Sequence, residues 1–127
     1  MDDRTKVINE RFEKSWVKTM EIYDDLIENY GWEKLVPLRN FIVNLVETGE
    51  SDFFRSGTSV HYLILSRSVN HGLRVDQKFI RIATIDVDRF RVEFREGSKM
   101  YREYYLQDLS DDKLKNLLKT LKDTLID

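Results

Sequence analysis

The chain has 127 residues, of which 41% are hydrophobic and 35% are charged, and its formal net charge at pH 7 is −2. This length is typical of one folded domain with its own core, so we expect a single domain over residues 1–127. The absence of cysteine excludes disulfides, thiolate metal ligands and a cysteine nucleophile.

The first third of the chain predicts two helices. Over residues 3–30, apolar side chains recur at steps of three and four residues, which is the pattern of one amphipathic helix. These side chains are Ile8, Phe12, Trp16, Met20, Tyr23, Ile27 and Tyr30. Gly31 predicts the end of this helix, with Trp32 packing back on its last turn. A second helix is predicted over 34–48, where Pro37 suits the first turn, and the short connection favours an antiparallel helical hairpin.

Residues 58–71 fit either a helix or a strand. The apolar run VHYLIL within them is typical of a buried strand. Thr58 or Ser59 before this run and Gly72 after it are typical of the two ends of a helix. Because both ends carry such signals, the sequence favours a helix here, and residues 53–55 could form a short strand before it.

The rest of the chain predicts three strands and a closing helix. Residues 79–85, 89–95 and 100–106 are rich in β-branched residues or alternate between polar and apolar, and turn-like segments separate them. Ser110 is the predicted N-cap of the final helix. Its predicted inner face consists of Leu114, Leu117, Leu118, Leu121 and Leu125. The expected fold class is α+β, with an N-terminal helical hairpin, an antiparallel sheet of three to four strands and a C-terminal helix.

Charge is distributed unevenly along the chain. Residues 1–52 carry twelve acidic and seven basic side chains, whereas residues 53–106 carry six acidic and ten basic side chains, eight of them arginine. Arginine is suited to bidentate recognition of carboxylate or phosphate. We therefore expect an arginine-rich binding surface within 55–102. Solvated charges on exposed strand faces are the simpler explanation of the same pattern.

The densest polar segment is 55–77, where polar and apolar residues do not separate into periodic faces. If a helix begins near Ser59, its free N–H groups and Arg55 would form an anion site beside Gly57. A glycine turn followed by an ordinary helix cap explains the same residues without a ligand. The candidate binding residues are Arg55, Ser59, Arg67, His71, Arg74, Arg91 and Arg102.

Catalytic and metal sites lack the residue spacing that they need. His61 and His71 are the only histidines, and no close acidic pair accompanies them, so we expect structural roles for both and neither a metal nor a cofactor. Asp86, Asp88 and Glu93 invite the hypothesis of a magnesium-dependent nuclease. Turn formation by the two aspartates and cross-strand ion pairing by Glu93 are the preferred explanations of these residues.

Three functional hypotheses follow, in order of preference. The first is a non-enzymatic protein-binding or regulatory module, a monomer or homodimer, whose arginines contact a protein with an acidic surface. The second is nucleic-acid binding, in which Tyr101, Tyr104 and Tyr105 stack bases beside Arg91 and Arg102. The third is a small metal-dependent nuclease or hydrolase.

The lengths of the apolar segments also indicate where in the cell the protein is expected. No run approaches the roughly 20 residues of a transmembrane helix, so no membrane interaction is expected. The first ten residues, MDDRTKVINE, contain no apolar signal-peptide core. The sequence therefore predicts a cytoplasmic protein.

Overall fold

The computed structural model describes residues 3–59, 61–69 and 77–124. Within these ranges the chain forms three α-helices and five strands. They are α1 (Asp3–Tyr30), α2 (Val36–Glu47), β1 (Arg55–Ser59), β2 (Tyr62–Ser66), β3 (Lys78–Asp86), β4 (Arg89–Glu96), β5 (Lys99–Leu106) and α3 (Asp112–Lys122). The α+β class is confirmed, but the sheet has five strands where three to four were expected. No helix among the described residues combines the length and the apolar character needed to cross a bilayer.

The two predicted N-terminal helices are confirmed. Helix α1 ends where Gly31 adopts a φ of 70°, a left-handed conformation that glycine reaches without steric cost. The backbone N–H of Trp32 then donates to the carbonyl of Leu26 at 3.1 Å, which brings the chain back against the last turns of the helix. A short 3-10 turn leads into α2, and an ion pair between Asp24 and Arg39 links the two helices.

The helix predicted over 58–71 is wrong, because the described part of this segment forms strand. Strands β1 and β2 make an antiparallel hairpin, with Ser56 opposite Leu65 and Thr58 opposite Leu63. Pairing of β2 with β3 buries the apolar run, and this non-local burial outweighs the local capping signals. No helix therefore begins near Ser59, and the helix terminus on which the expected anion site depended is absent.

The five strands follow one another in space as they do in sequence, and every neighbouring pair is antiparallel. The three predicted strands at the end of this meander are confirmed. Side chains alternate between its two faces. The inward face of β2–β4, which we call the inner face, packs with leucines of α2 and α3 in one buried core. Its members include Leu38, Ile42, Leu45, Leu63, Leu65, Ile80, Ile82, Phe90, Val92, Leu114, Leu117, Leu118 and Leu121, whereas the predicted Leu125 lies outside the described residues.

Helix α1 packs along the β1 side of the sheet. The hydroxyl of Ser15 accepts a hydrogen bond from the backbone N–H of Ser56 at 3.0 Å. The hydroxyls of Thr19 and Ser56 lie 2.8 Å apart and share a further hydrogen bond. Because β1 is an edge strand, these contacts satisfy backbone and side-chain groups that another chain could otherwise bind.

The N-cap of α3 is Asp111, so the prediction of Ser110 is wrong. The Asp111 carboxylate accepts a hydrogen bond from the N–H of Lys113 at 2.8 Å. Ser110 instead directs both its N–H and its hydroxyl to Asp108. We expect Asp111→Ala to lower the free energy of unfolding by about 1 kcal/mol, as loss of an N-cap does, in urea denaturation monitored by circular dichroism. Ser110→Ala is the matched control, and a larger loss in the control would contradict this assignment.

Candidate binding surface

The outer face of the sheet is the face opposite the buried core. Register places Arg81 opposite Glu93 and Arg91 opposite Tyr105, and alternation along each strand extends this face. The outer face comprises Tyr62, Ile64, Phe79, Arg81, Ala83, Arg89, Arg91, Glu93, Arg95, Glu103 and Tyr105. Four arginines and two glutamates therefore lie on one side of three adjacent strands.

Glu93 is the centre of this face. Its side chain is only 2% exposed, yet three guanidinium groups reach its carboxylate. The nitrogen–oxygen distances are 2.8 Å to Arg81, 2.9 Å to Arg91 and 2.8 Å to Arg95. The expected cross-strand ion pair of Glu93 is confirmed at Arg81, whereas Arg91 and Arg95 reach Glu93 along the same strand. The arginines themselves cover it, so this carboxylate is paired where an unpaired one would be strongly destabilising.

The arginines also determine the ionisation of Glu93. Burial alone would raise the pKa of its carboxyl, because a charge loses hydration there. Hydrogen bonds from Arg95 and Arg81, together with the charges of Arg81 and Arg91, outweigh this effect and lower the pKa below its ordinary value. Glu93 is therefore ionised at neutral pH and holds the surrounding guanidinium groups in place.

Arg91 connects Glu93 to the edge of the sheet. Its guanidinium also contacts Glu103 on β5, with a nitrogen–oxygen distance of 2.6 Å. The hydrogen bond to Glu103 raises the pKa of Arg91, burial opposes this, and the charges of both glutamates raise it further. Arg91 thus bridges two carboxylates on neighbouring strands, which fixes the direction of its side chain.

Arg89 differs from the other three arginines of the outer face. It makes no ion pair with any described residue, and its guanidinium lies 5.9 Å from the ring centroid of the exposed Tyr105. Arg81 lies over Tyr62 in a similar way, at 5.4 Å. Both distances are within the range of cation–π contacts. With four arginines and two glutamates, the outer face carries an excess of positive charge, and Arg89 presents an unpaired cation at its edge.

The structure does not gather the predicted binding residues into one site. Arg91 lies on the outer face, whereas Arg102 is opposite Phe94 and so lies on the other side of β5. Ser59 is exposed at the end of β1. His71 and Arg74 lie outside the described residues.

Arg55 and Arg67 both donate to backbone carbonyls. Arg55 donates to Val69 at 2.7 Å and Arg67 donates to Phe53 at 2.8 Å. Burial lowers the pKa of each guanidinium, and the neighbouring charge of Arg11 lowers that of Arg55 further. These contacts give both arginines a structural role, which does not require a partner.

The three tyrosines of β5 do not form one stacking surface. Tyr104 is opposite the buried Val92 and packs against the core. Tyr105 lies on the outer face opposite Arg91. Tyr101 lies at an irregularity in the strand pairing, with its ring 5.9 Å from that of Phe94. Bases stacked on successive tyrosines would therefore need to reach both faces of the sheet.

Sequence reasoning included Arg81, Arg89 and Arg95 in the arginine-rich region 55–102 but did not name them among the candidate binding residues. One signal was present, because Arg89, Arg91, Glu93 and Arg95 alternate along a single predicted strand. The contribution of Arg81 depends on the register between β3 and β4, which the pattern of one strand does not contain.

Comparisons of the chain with protein-family models, curated proteins and solved structures found no significant match. Within the described ranges, no group of three or more histidine, aspartate or glutamate side chains is placed to hold a metal ion. Function is therefore inferred from the residues and geometry of this chain alone.

Proposed function

We propose that this protein is a non-enzymatic binding module whose outer face contacts an acidic surface of another protein. The observation that carries the proposal is the arginine array. We define it as Arg81, Arg91 and Arg95 around the buried carboxylate of Glu93, together with Arg89 on the same face. Complementary charge increases the rate and the specificity of association between proteins.

The buried Glu93 orders the arginine side chains of the array before a partner binds. A free arginine side chain loses rotamer freedom when it binds, and this loss weakens the complex. Glu93 already holds three guanidinium groups, and each of these side chains remains 21–39% exposed. Part of the ordering therefore takes place during folding, and the exposed N–H groups are available to carboxylates of a partner.

The residue types of the surface also favour a protein partner. The array lies on a pleated strand face, and arginine and tyrosine are residues that commonly dominate the binding energy of protein interfaces. Tyr105 is 56% exposed next to Arg89. An aromatic ring with an adjacent unpaired cation is suited to the centre of such a contact.

Charge reversal at Arg89 tests the proposal with a matched control. We expect tagged protein carrying Arg89→Glu to lose the partner that the original sequence captures from an extract of the source cells, because the change places a carboxylate on the outer face. Arg102→Glu makes the same charge change on the other side of the sheet and is expected to retain the partner. Neither arginine pairs with a described carboxylate, so both variants should melt close to the original temperature.

The extract is divided, and one half is treated with nuclease before capture. Partner recovery that survives this treatment supports contact with a protein. Loss of recovery in the treated half would favour the nucleic-acid hypothesis. Equal recovery by both arginine variants would contradict a role for the outer face.

A further inference from the structure

A second basic feature lies between α1 and the outer side of β1 and β2. This α1 groove has a volume of about 750 Å³, which is within the usual range for small-molecule sites. Arg11, Lys14 and Lys18 line one wall and Arg55 lines another, while no aspartate or glutamate is among the lining residues that the structure describes. On the outer face three of the four arginines pair with Glu93, whereas no described carboxylate lines this groove.

The cations of α1 form one stripe. Arg11, Lys14 and Lys18 are separated by three and four residues, so they lie along the same side of the helix. Neither lysine makes an ion pair with a residue in 3–59, 61–69 or 77–124. Like charges at this spacing weaken a helix slightly, and a bound anion would remove that repulsion.

Arg55 adds a fixed cation on the strand side. Its guanidinium is held by the carbonyl of Val69 at 2.7 Å, so little side-chain freedom remains to be lost on binding. The charge of Arg11 lowers the pKa of Arg55, after the larger effect of burial. Arg11 and Arg55 both donate to the carbonyl of Val69, at 3.5 Å and 2.7 Å, so two guanidinium groups lie close together at this end of the groove.

Five serine and threonine residues also line the groove, but one part of it, which we call the floor, is small and apolar. It includes Gly57 and the side chains of Ile22 and Ile64. A Cβ atom added at Gly57 would meet nothing within 4 Å, so the missing side chain leaves open space above the strand. A ligand that fits both the apolar floor and the basic walls has an apolar part and an anionic group.

We propose that the α1 groove binds a small organic phosphate, with the phosphate at Lys14, Lys18 and Arg55 and the apolar part above Gly57. Two or three cations match the charge of a phosphate monoester, and charge-assisted hydrogen bonds to it are stronger than neutral ones. None of the four arginines of the array lines the groove, although the groove shares Ile64 with the outer face. The proposed phosphate site does not depend on the proposed protein partner.

Phenyl phosphate is a suitable probe, because it has one phosphate and one apolar ring. Isothermal titration calorimetry on the full chain would compare it with inorganic phosphate and with phenol. We expect phenyl phosphate to bind more tightly than either, and Lys14→Gln or Lys18→Gln to weaken it about tenfold, the effect of losing one charged hydrogen bond. Lys6→Gln is the matched control, because Lys6 is an exposed lysine of the same helix and does not line the groove.

Gly57→Val tests the apolar floor without removing a charge. Valine suits a strand and its Cβ has room, so the variant should fold, which thermal denaturation checks, while its methyl groups enter the groove and weaken phenyl phosphate binding. Equal affinity for inorganic phosphate, equal affinity for phenol, or the same loss in Lys6→Gln would overturn the proposal. Binding to vesicles that contain phosphatidic acid, without binding of phenyl phosphate, would also overturn it in favour of a lipid surface.

Discussion

Replacing Trp16 with alanine is expected to lower the free energy of unfolding by about 3–5 kcal/mol, the range for truncation of a buried aromatic residue. The indole is only 4% exposed. Its N–H donates to the carbonyls of Ser51 and Phe54, both at 2.9 Å. Truncation would therefore leave a cavity between α1 and the segment before β1, together with two buried carbonyls that lose a donor. Urea denaturation with linear extrapolation measures the loss.

Two further variants separate packing from hydrogen bonding. Trp16→Phe keeps a ring but removes the donor, and we expect it to cost about 1–3 kcal/mol, as an unsatisfied buried polar group does. Val17→Ala is the control, because Val17 is the next residue of the helix and is 57% exposed. Its effect should stay within about 0.5 kcal/mol. Equal losses in Trp16→Ala and Val17→Ala would show that the aromatic stripe of α1 is not buried.

The second large effect is expected at Glu93. Glu93→Gln preserves the size of the side chain but removes its charge and turns amide donors towards arginine donors. We expect the free energy of unfolding to fall by about 3 kcal/mol, the lower end of the range for breaking a buried ion pair. The loss is at the lower end because the arginines that remain are partly hydrated. Glu103→Gln is the control. Its side chain is 28% exposed and pairs with Arg91, so a loss of about 1 kcal/mol or less is expected.

The difference in free energy of unfolding between the original protein and the Glu93→Gln variant should depend on pH. The pKa of Glu93 is lowered in the folded state, so ionisation of this group stabilises the fold above its unfolded pKa of about 4.3. This stabilisation is lost as pH falls through the lowered folded pKa. Denaturation curves at a series of pH values should show that this difference in free energy becomes smaller as pH falls below about 4.3. A difference that widened on acidification would contradict the ion-pair arrangement.

Sequence periodicity was sufficient for the three helices and for β3, β4 and β5, but not for β1 and β2. The steps of three and four residues in α1 and the alternation in β4 each reflect one buried face, so the pattern identifies the element directly. Capping was harder to predict, because Ser110 and Asp111 are both good N-cap residues. Asp108 binds Ser110 and leaves the cap to Asp111, a competition that depends on the geometry of the turn.

The error over 58–71 and the incomplete binding surface have one cause. Thr58 and Ser59 carry local helix signals, but the strand forms because β2 pairs with β3, which begins more than ten residues later. In the same way, Arg81 meets Glu93 only through the register of β3 and β4. Contacts between distant segments determine both features, and local patterns do not encode them.

Arginine-selective modification of the complex with its captured partner tests the role of the outer face most directly. Phenylglyoxal reacts with exposed guanidinium groups, and mass spectrometry reports the rate at each arginine. The arginine array as a binding surface predicts that Arg89 reacts more slowly in the complex than in the free protein, while Arg102 reacts equally fast in both. Protection of Arg102 with an unchanged rate at Arg89 would contradict binding through the outer face.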